Sequence, residues 1–332
     1  MNQELLIRLF RSIEGDSSDD LVRIAEKIIE DEQKKGHSKI ATRLKEILDK
    51  NLQTYSSFKG QLKTLLPKGV TIPTDKRNHV PLASHIERAR LRHDMVLPRE
   101  IENKISRIEM EYVARERLHH FGLKPKQKIL LYGAPGCGKS MTAERIAYNI
   151  GLPFLKVRFE AIISSYLGES ASNLKKLFES LKGFPCVLLL DEFDFIAKAR
   201  TKNGQDVGEM HRLVNLLLSL LEDYEAPGIL VATTNFEGVI DFALFRRFDE
   251  IIEMPKPSEA EIDRLLRQTL SSMTLAKNIH LPEMAQKLAG FSAALVVKVA
   301  NDASKIAILE GKNILEQKHL TIAIAENLSF NK

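Results

Sequence analysis

The sequence has 332 residues, 44% of them hydrophobic and 28% charged, with a net charge of +5; this is the composition of a globular protein of about two or three domains. No apolar run approaches the ~20 residues of a membrane span, and the first residues lack the basic, apolar and cleavage regions of a signal peptide, so a cytoplasmic protein with no membrane partner is expected. The two cysteines, Cys137 and Cys186, have neither a disulfide-framework nor a metal-site spacing and are expected to be reduced thiols.

Residues 1–50 read as three short amphipathic helices. Leu5, Leu6, Leu9 and Phe10 form the apolar face of the first, and Leu21, Ile24, Ala25, Ile28 and Ile29 that of the second. Gly36 stops the second, and Ser38 can cap a third built on Ile40, Ala41, Leu44, Ile47 and Leu48. Nothing here is equipped for chemistry, and the segment reads as a docking bundle. Residues 51–94 lose this period, gain Pro67, Gly69, Pro73 and Pro81, and read as a basic linker. Residues 51–128 carry 16 Lys and Arg against 8 Asp and Glu. Such an excess can meet nucleic acid or an acidic partner, but no aromatic interleaving or nucleic-acid motif accompanies it, so a solvated surface is the simpler reading. Pro98 suits the first turn of a long helix through about His120, ended by Gly122 and Pro125. His119 and His120 are adjacent, point to different sides of that helix and make a poor metal pair.

From residue 128 apolar strands alternate with helices: 128–132, 139–150, 154–158, 169–182, 185–190, 208–224 and 229–232. This is the pattern of an α/β fold, a parallel sheet covered by helices on both faces, with ligands at the carboxyl ends of the strands. A domain over 95–256 is therefore expected. After Pro255 and Pro257 four helical stretches follow, read as an all-helical lid over 257–332.

The first strand runs into Gly133-Ala134-Pro135-Gly136-Cys137-Gly138-Lys139-Ser140, with a helix opening behind it at Met141. This Gly-x-x-x-x-Gly-Lys-Ser run, in a strand-to-helix context, is a phosphate-binding loop and makes the chain a P-loop protein. The glycines let backbone N–H groups turn inward, the helix presents its positive end, Lys139 reaches the terminal phosphates, and the Ser140 hydroxyl can hold Mg²⁺. A second apolar strand, Cys186 to Leu190, ends in Asp191-Glu192. Asp191 can complete the Mg²⁺ shell, while Glu192 can orient and deprotonate a water. A third, Val231-Ala232-Thr233-Thr234, ends at Asn235, which can share that water.

In order and spacing, the phosphate loop, the Asp191-Glu192 strand, Ala232-Thr233-Thr234-Asn235 and Arg246-Arg247-Phe248-Asp249 resemble the AAA family of ATPases over about residues 97–328. The resemblance implies an oligomeric, hexameric Mg-ATP hydrolase with ATP and Mg²⁺ as its cofactors and a protein client as its partner. It makes Asn235 the sensor residue, and Arg246 and Arg247 the arginine fingers that reach a neighbouring subunit's γ-phosphate. It adds Val96 before the long helix and Ala293 in the lid to the nucleotide-binding set of Gly133, Pro135, Gly136, Cys137, Gly138, Lys139, Ser140, Met141 and Asp191. Ser165-Tyr166-Leu167-Gly168-Glu169-Ser170 resembles the family's pore loop, with Tyr166 and Leu167 as the client-gripping pair, and 202–208 would be a second pore loop. The lid departs from the family pattern: Gly290-Phe291-Ser292-Ala293-Ala294-Leu295 lacks a glycine and an acid found in many members. The amino-terminal stretches Leu6-Ile7-Arg8 to Glu14-Gly15-Asp16, Lys35-Gly36-His37 and Met95-Val96-Leu97-Pro98 resemble bacterial AAA proteins of phage-defence settings, often encoded beside a subtilisin-like serine protease. The expected function is a protein remodeller or unfoldase. Its rivals are an ATPase acting on nucleic acid through the basic segment and a nucleotide-gated switch controlling a partner protease.

Overall fold

The computed structural model describes residues 25, 28–29, 32–33, 41–46, 48, 72–75, 79–163, 169–193, 207–235, 246–276, 278–311 and 314–329. The chain forms two compact units, Met1–Val70 and Thr71–Lys332. In the first, the described positions are helical, and Ala25, Ile29, Ala41, Leu44 and Leu48 are buried, as expected for the apolar faces of the second and third helices. The first expected helix and Ser38 lie outside the described residues.

The second unit is built on a six-stranded sheet: β1 (Ala83–Ile86), β2 (Lys128–Tyr132), β3 (Phe154–Val157), β4 (Val187–Leu190), β5 (Ile229–Thr234) and β6 (Glu250–Glu253). The spatial order is β1-β3-β4-β5-β2-β6, with β2 to β6 parallel and β1 antiparallel to β3. Its helices are α1 (Arg99–Val113), α2 (Arg115–His120), α3 (Lys139–Ile150), α4 (Phe159–Ile162), α5 (Glu169–Ser180) and α6 (Val207–Glu222). Successive strand residues point to opposite faces, so Leu130, Leu188 and Leu230 pack on α5 and α6, while Ile129, Leu131, Leu189 and Val231 pack on α1 and α3. Each fully buried Leu or Ile contributes about 1.5–3 kcal/mol, which is why the central strands carry no outward polar set.

Four expectations are corrected. The supposed linker over 51–94 is packed structure in its described second half: β1 pairs with β3, Leu82 is fully buried, and Thr74 bridges to Pro81. Its prolines misled because proline is tolerated at sheet edges, where one side of the backbone needs no partner. The long helix is interrupted for one residue at Ala114, although Ala114 N–H still donates to Met110 O and Leu118 N–H to Ala114 O. It ends at Gly122 (φ 72°), as expected. Strand β6, which alternation did not reveal, has acids at both ends and gains its place only by pairing with β2. The lid, α7 (Glu259–Thr269), α8 (Leu281–Lys287), α9 (Ala293–Leu309) and α10 (Gln317–Ser329), also holds a short parallel pair, β7 (Thr274–Leu275) with β8 (Ile314–Leu315). Its own core includes Ile262, Leu266, Met284, Val299, Ala303 and Leu320.

Candidate active site

The parallel strands set their carboxyl ends side by side, and each delivers one polar group there. β2 ends in the phosphate loop. Gly133 and Gly136 both have positive φ (133° and 76°), and each is also pressed by a neighbour. A methyl at Gly133 would collide with the Met254 carbonyl, and one at Gly136 would stand 2.9 Å from Ser292 Oγ. Glycine is therefore required by space as well as by conformation. Lys139, buried at the start of the twelve-residue α3, donates from Nζ to Gly133 O at 2.7 Å and to Ala134 O at 2.8 Å, which holds the loop curled over the helix N-terminus. Cys137 is buried within the loop as a free thiol, and burial pushes the Cys186 thiol up to about 12.

Asp191, just past β4, is the hub. Its Oδ1 accepts from Ser140 Oγ at 2.7 Å and from Thr233 Oγ1 at 2.6 Å, and its Oδ2 accepts from Lys156 Nζ at 2.6 Å. Burial alone would raise this carboxyl, but the bonds from Lys156, Thr233 and Ser140 outweigh it and hold the pKa below its usual value. The adjacent Glu192 is exposed and adopts φ 55°, a left-handed conformation in which its N–H is fixed by Thr233 Oγ1 at 3.1 Å. Thr233 thus ties both carboxylate residues to β5, and half-buried Asn235 follows at the same sheet edge.

The lid closes on the loop directly. Ser292 caps α9 through Leu295 N–H, and Ala294 N–H donates to Gly136 O at 3.0 Å, so Ala293 stands beside the phosphate loop. Leu295, standing where many family members carry an acid, is partly buried and uses its backbone N–H in the cap. From the other side Val96 packs on the lid core, and Met95 accepts a long contact from Thr142 Oγ1 at 3.8 Å. Pro135 and Gly136 are exposed, and Met141 is half-buried behind Ser140.

Arg246 and Arg247 lie elsewhere. Asp249 accepts from Gln127 N–H and Lys128 N–H, both at 2.9 Å, at the amino end of β2. Arg247 pairs at 2.8 Å with Glu222, at the carboxyl end of α6, and Arg246 is exposed beside it. The arginine pair and the phosphate loop therefore flank opposite ends of β2. Tyr166, Leu167 and Gly168 of the first pore loop, and 202–206 of the second, lie outside the described residues.

Sequence reasoning missed Lys156, Thr233 and the Arg92–Glu144 pair. Arg92 holds buried Glu144 of α3 through its backbone N–H at 2.8 Å and its guanidinium. Nearby, Arg88 lies 4.6 Å over the Tyr148 ring, and His93 stacks on that ring at 3.8 Å. Two arginines of the basic segment are thus engaged with α3. The available signal for Lys156 was a lone cation near the carboxyl end of an otherwise apolar strand.

The arrangement fits a nucleoside polyphosphate and a divalent cation. The loop leaves no room for side chains where phosphate must approach backbone, and Ser140 with Asp191 supplies hard oxygen donors. Among the described residues there is no cluster of three or more His, Cys, Asp or Glu that could hold a metal, so the remaining oxygens would come from phosphate and water. When bound, Mg²⁺ neutralises charge on the transferred phosphoryl group. Comparison with known proteins agrees with this chemistry. The model of the ATPase family associated with various cellular activities (AAA) matches residues 129–256. The uncharacterized AAA family ATPase y4kL of Sinorhizobium fredii is 33% identical over 323 residues, which span 97% of this chain and 94% of that protein.

Proposed function

Starting from the AAA family of ATPases, to which this chain belongs, we propose that it hydrolyses Mg-ATP within a homo-oligomeric ring, a hexamer by family resemblance, and uses the energy to remodel or unfold a protein client. Within one subunit Lys139 and the loop amides bind the phosphates, and Ser140 and Asp191 hold the cation. Glu192 takes a proton from the water that attacks the γ-phosphorus, releasing ADP, and Asn235 orients that water.

One observation carries the oligomeric reading. β2 rises about 13 Å between the arginine end and the phosphate end, and Arg247 is tied at 2.8 Å to Glu222 at the arginine end. Neither guanidinium is placed to serve its own subunit's phosphates, so their charge is useful only to a neighbour. The expected partners are a second copy of the chain and a protein client, with a subtilisin-like serine protease and a role in phage defence as the particular setting. The engagement of Arg88 and Arg92 with α3 weighs against the rival in which the basic segment grips nucleic acid.

The test is complementation. A double variant Arg246→Ala/Arg247→Ala should bind ATP but lose most turnover, by about 10³-fold if it follows other arginine fingers. Mixing it with Lys139→Ala protein should restore part of the activity, because each contributes what the other lacks. Mixed oligomers that form yet show no restored activity at any ratio would refute action across a subunit boundary.

A further inference from the structure

The carboxyl end of β3 carries a cation that phosphate-loop chemistry does not require. Lys156 pairs in register with Leu189 of β4, two residues before Asp191. Its Nζ lies 2.6 Å from Asp191 Oδ2, while Ser140 and Thr233 already occupy Oδ1 at 2.7 and 2.6 Å. Both oxygens of the carboxylate are therefore engaged, one by hydroxyls and the other by an ammonium. The Asp191 side chain is only 15% exposed and that of Lys156 44%. A single negative charge in so sheltered a place cannot neutralise an ammonium and a divalent cation together, and salt screens their mutual repulsion weakly. The flexible four-carbon stem of lysine, partly in solvent, lets the ammonium give way.

We propose that Lys156 is a resident counter-cation for Asp191, holding the carboxylate in place before a divalent ion arrives and competing with that ion for it, so that Lys156 sets how much Mg²⁺ the nucleotide site needs. This rests on the nucleotide-binding reading of the site. It assigns Lys156 a positioning role with effects of opposite sign. Without metal, Lys156 supplies positive charge beside the phosphates and strengthens binding; with metal, it raises the concentration required.

Binding of the slowly hydrolysed analogue ATPγS to full-length protein, followed by calorimetry in EDTA and across a MgCl₂ series at constant ionic strength, tests this directly. Lys156→Gln should lower the Mg²⁺ concentration for half-maximal affinity by about three- to tenfold and weaken binding in EDTA by a similar factor. Lys156→Arg should keep both quantities near those of the wild type. Equal Mg²⁺ midpoints for wild type and Lys156→Gln would overturn the proposal, as would an equal shift in both variants. A lowered melting temperature with an unchanged midpoint would reduce Lys156 to a packing role, which also overturns it. Absence of ATPγS binding by the wild type would remove the nucleotide reading itself, a failure distinct from the others.

Discussion

Glu192 stands at φ 55° with its N–H fixed on Thr233 Oγ1, so the backbone that carries it is both unusual and held. A left-handed glutamate costs about 1–3 kcal/mol, and such strain persists where surrounding bonds over-determine it. Asp191 is committed to Ser140, Thr233 and Lys156, which leaves the exposed Glu192 as the carboxylate available to accept a proton from water. Glu192→Gln should therefore keep nucleotide affinity within about twofold while lowering turnover by about 10²–10⁴-fold, the range that positioned general bases contribute. Single-turnover hydrolysis beside equilibrium binding checks both halves. Turnover at the wild-type rate would assign the proton to another group. Asp191 and Glu192 were legible as a pair from the strand that ends in them. Their division of labour was not, because the partners that separate them come from β3 and β5.

Among the elements, the phosphate loop is the most constrained. It is pinned by Lys139 from beneath, by Met254 beside Gly133 and by the α9 N-terminus above Gly136. Gly133→Ala should cost about 1–3 kcal/mol, since φ 133° is hostile to a side chain and the Met254 carbonyl must move. A lowered melting temperature together with weaker ATP binding is the expected result. Unchanged values of both would show that the loop relaxes freely. The central strands and α3 follow from pattern alone because their burial is two-sided or strictly periodic. β1 and β6 do not: each is four residues long, carries polar positions and is a strand only because β3 or β2 offers a free edge.

Across the whole molecule, force on a client depends on the pore loop that Tyr166 and Leu167 were assigned by resemblance. Tyr166→Ala should leave basal ATP hydrolysis within about twofold, since no catalytic group is touched, and should abolish unfolding of a protein client, because an exposed aromatic supplies the grip. Parallel assays of ATP turnover and client unfolding decide it, and normal client processing would leave the nucleotide-gated switch as the better reading. The sequence by itself determined the parallel P-loop sheet, the phosphate loop, the paired carboxylates and the helical lid, because local spacing and two-sided apolar strands encode them directly. The tertiary structure alone decided that Lys156 and Thr233 converge on Asp191, that the lid bonds to Gly136, and that the arginines stand at the far end of β2. Those relations join residues tens of positions apart, and only the closing of the sheet and its layers brings them within hydrogen-bonding distance.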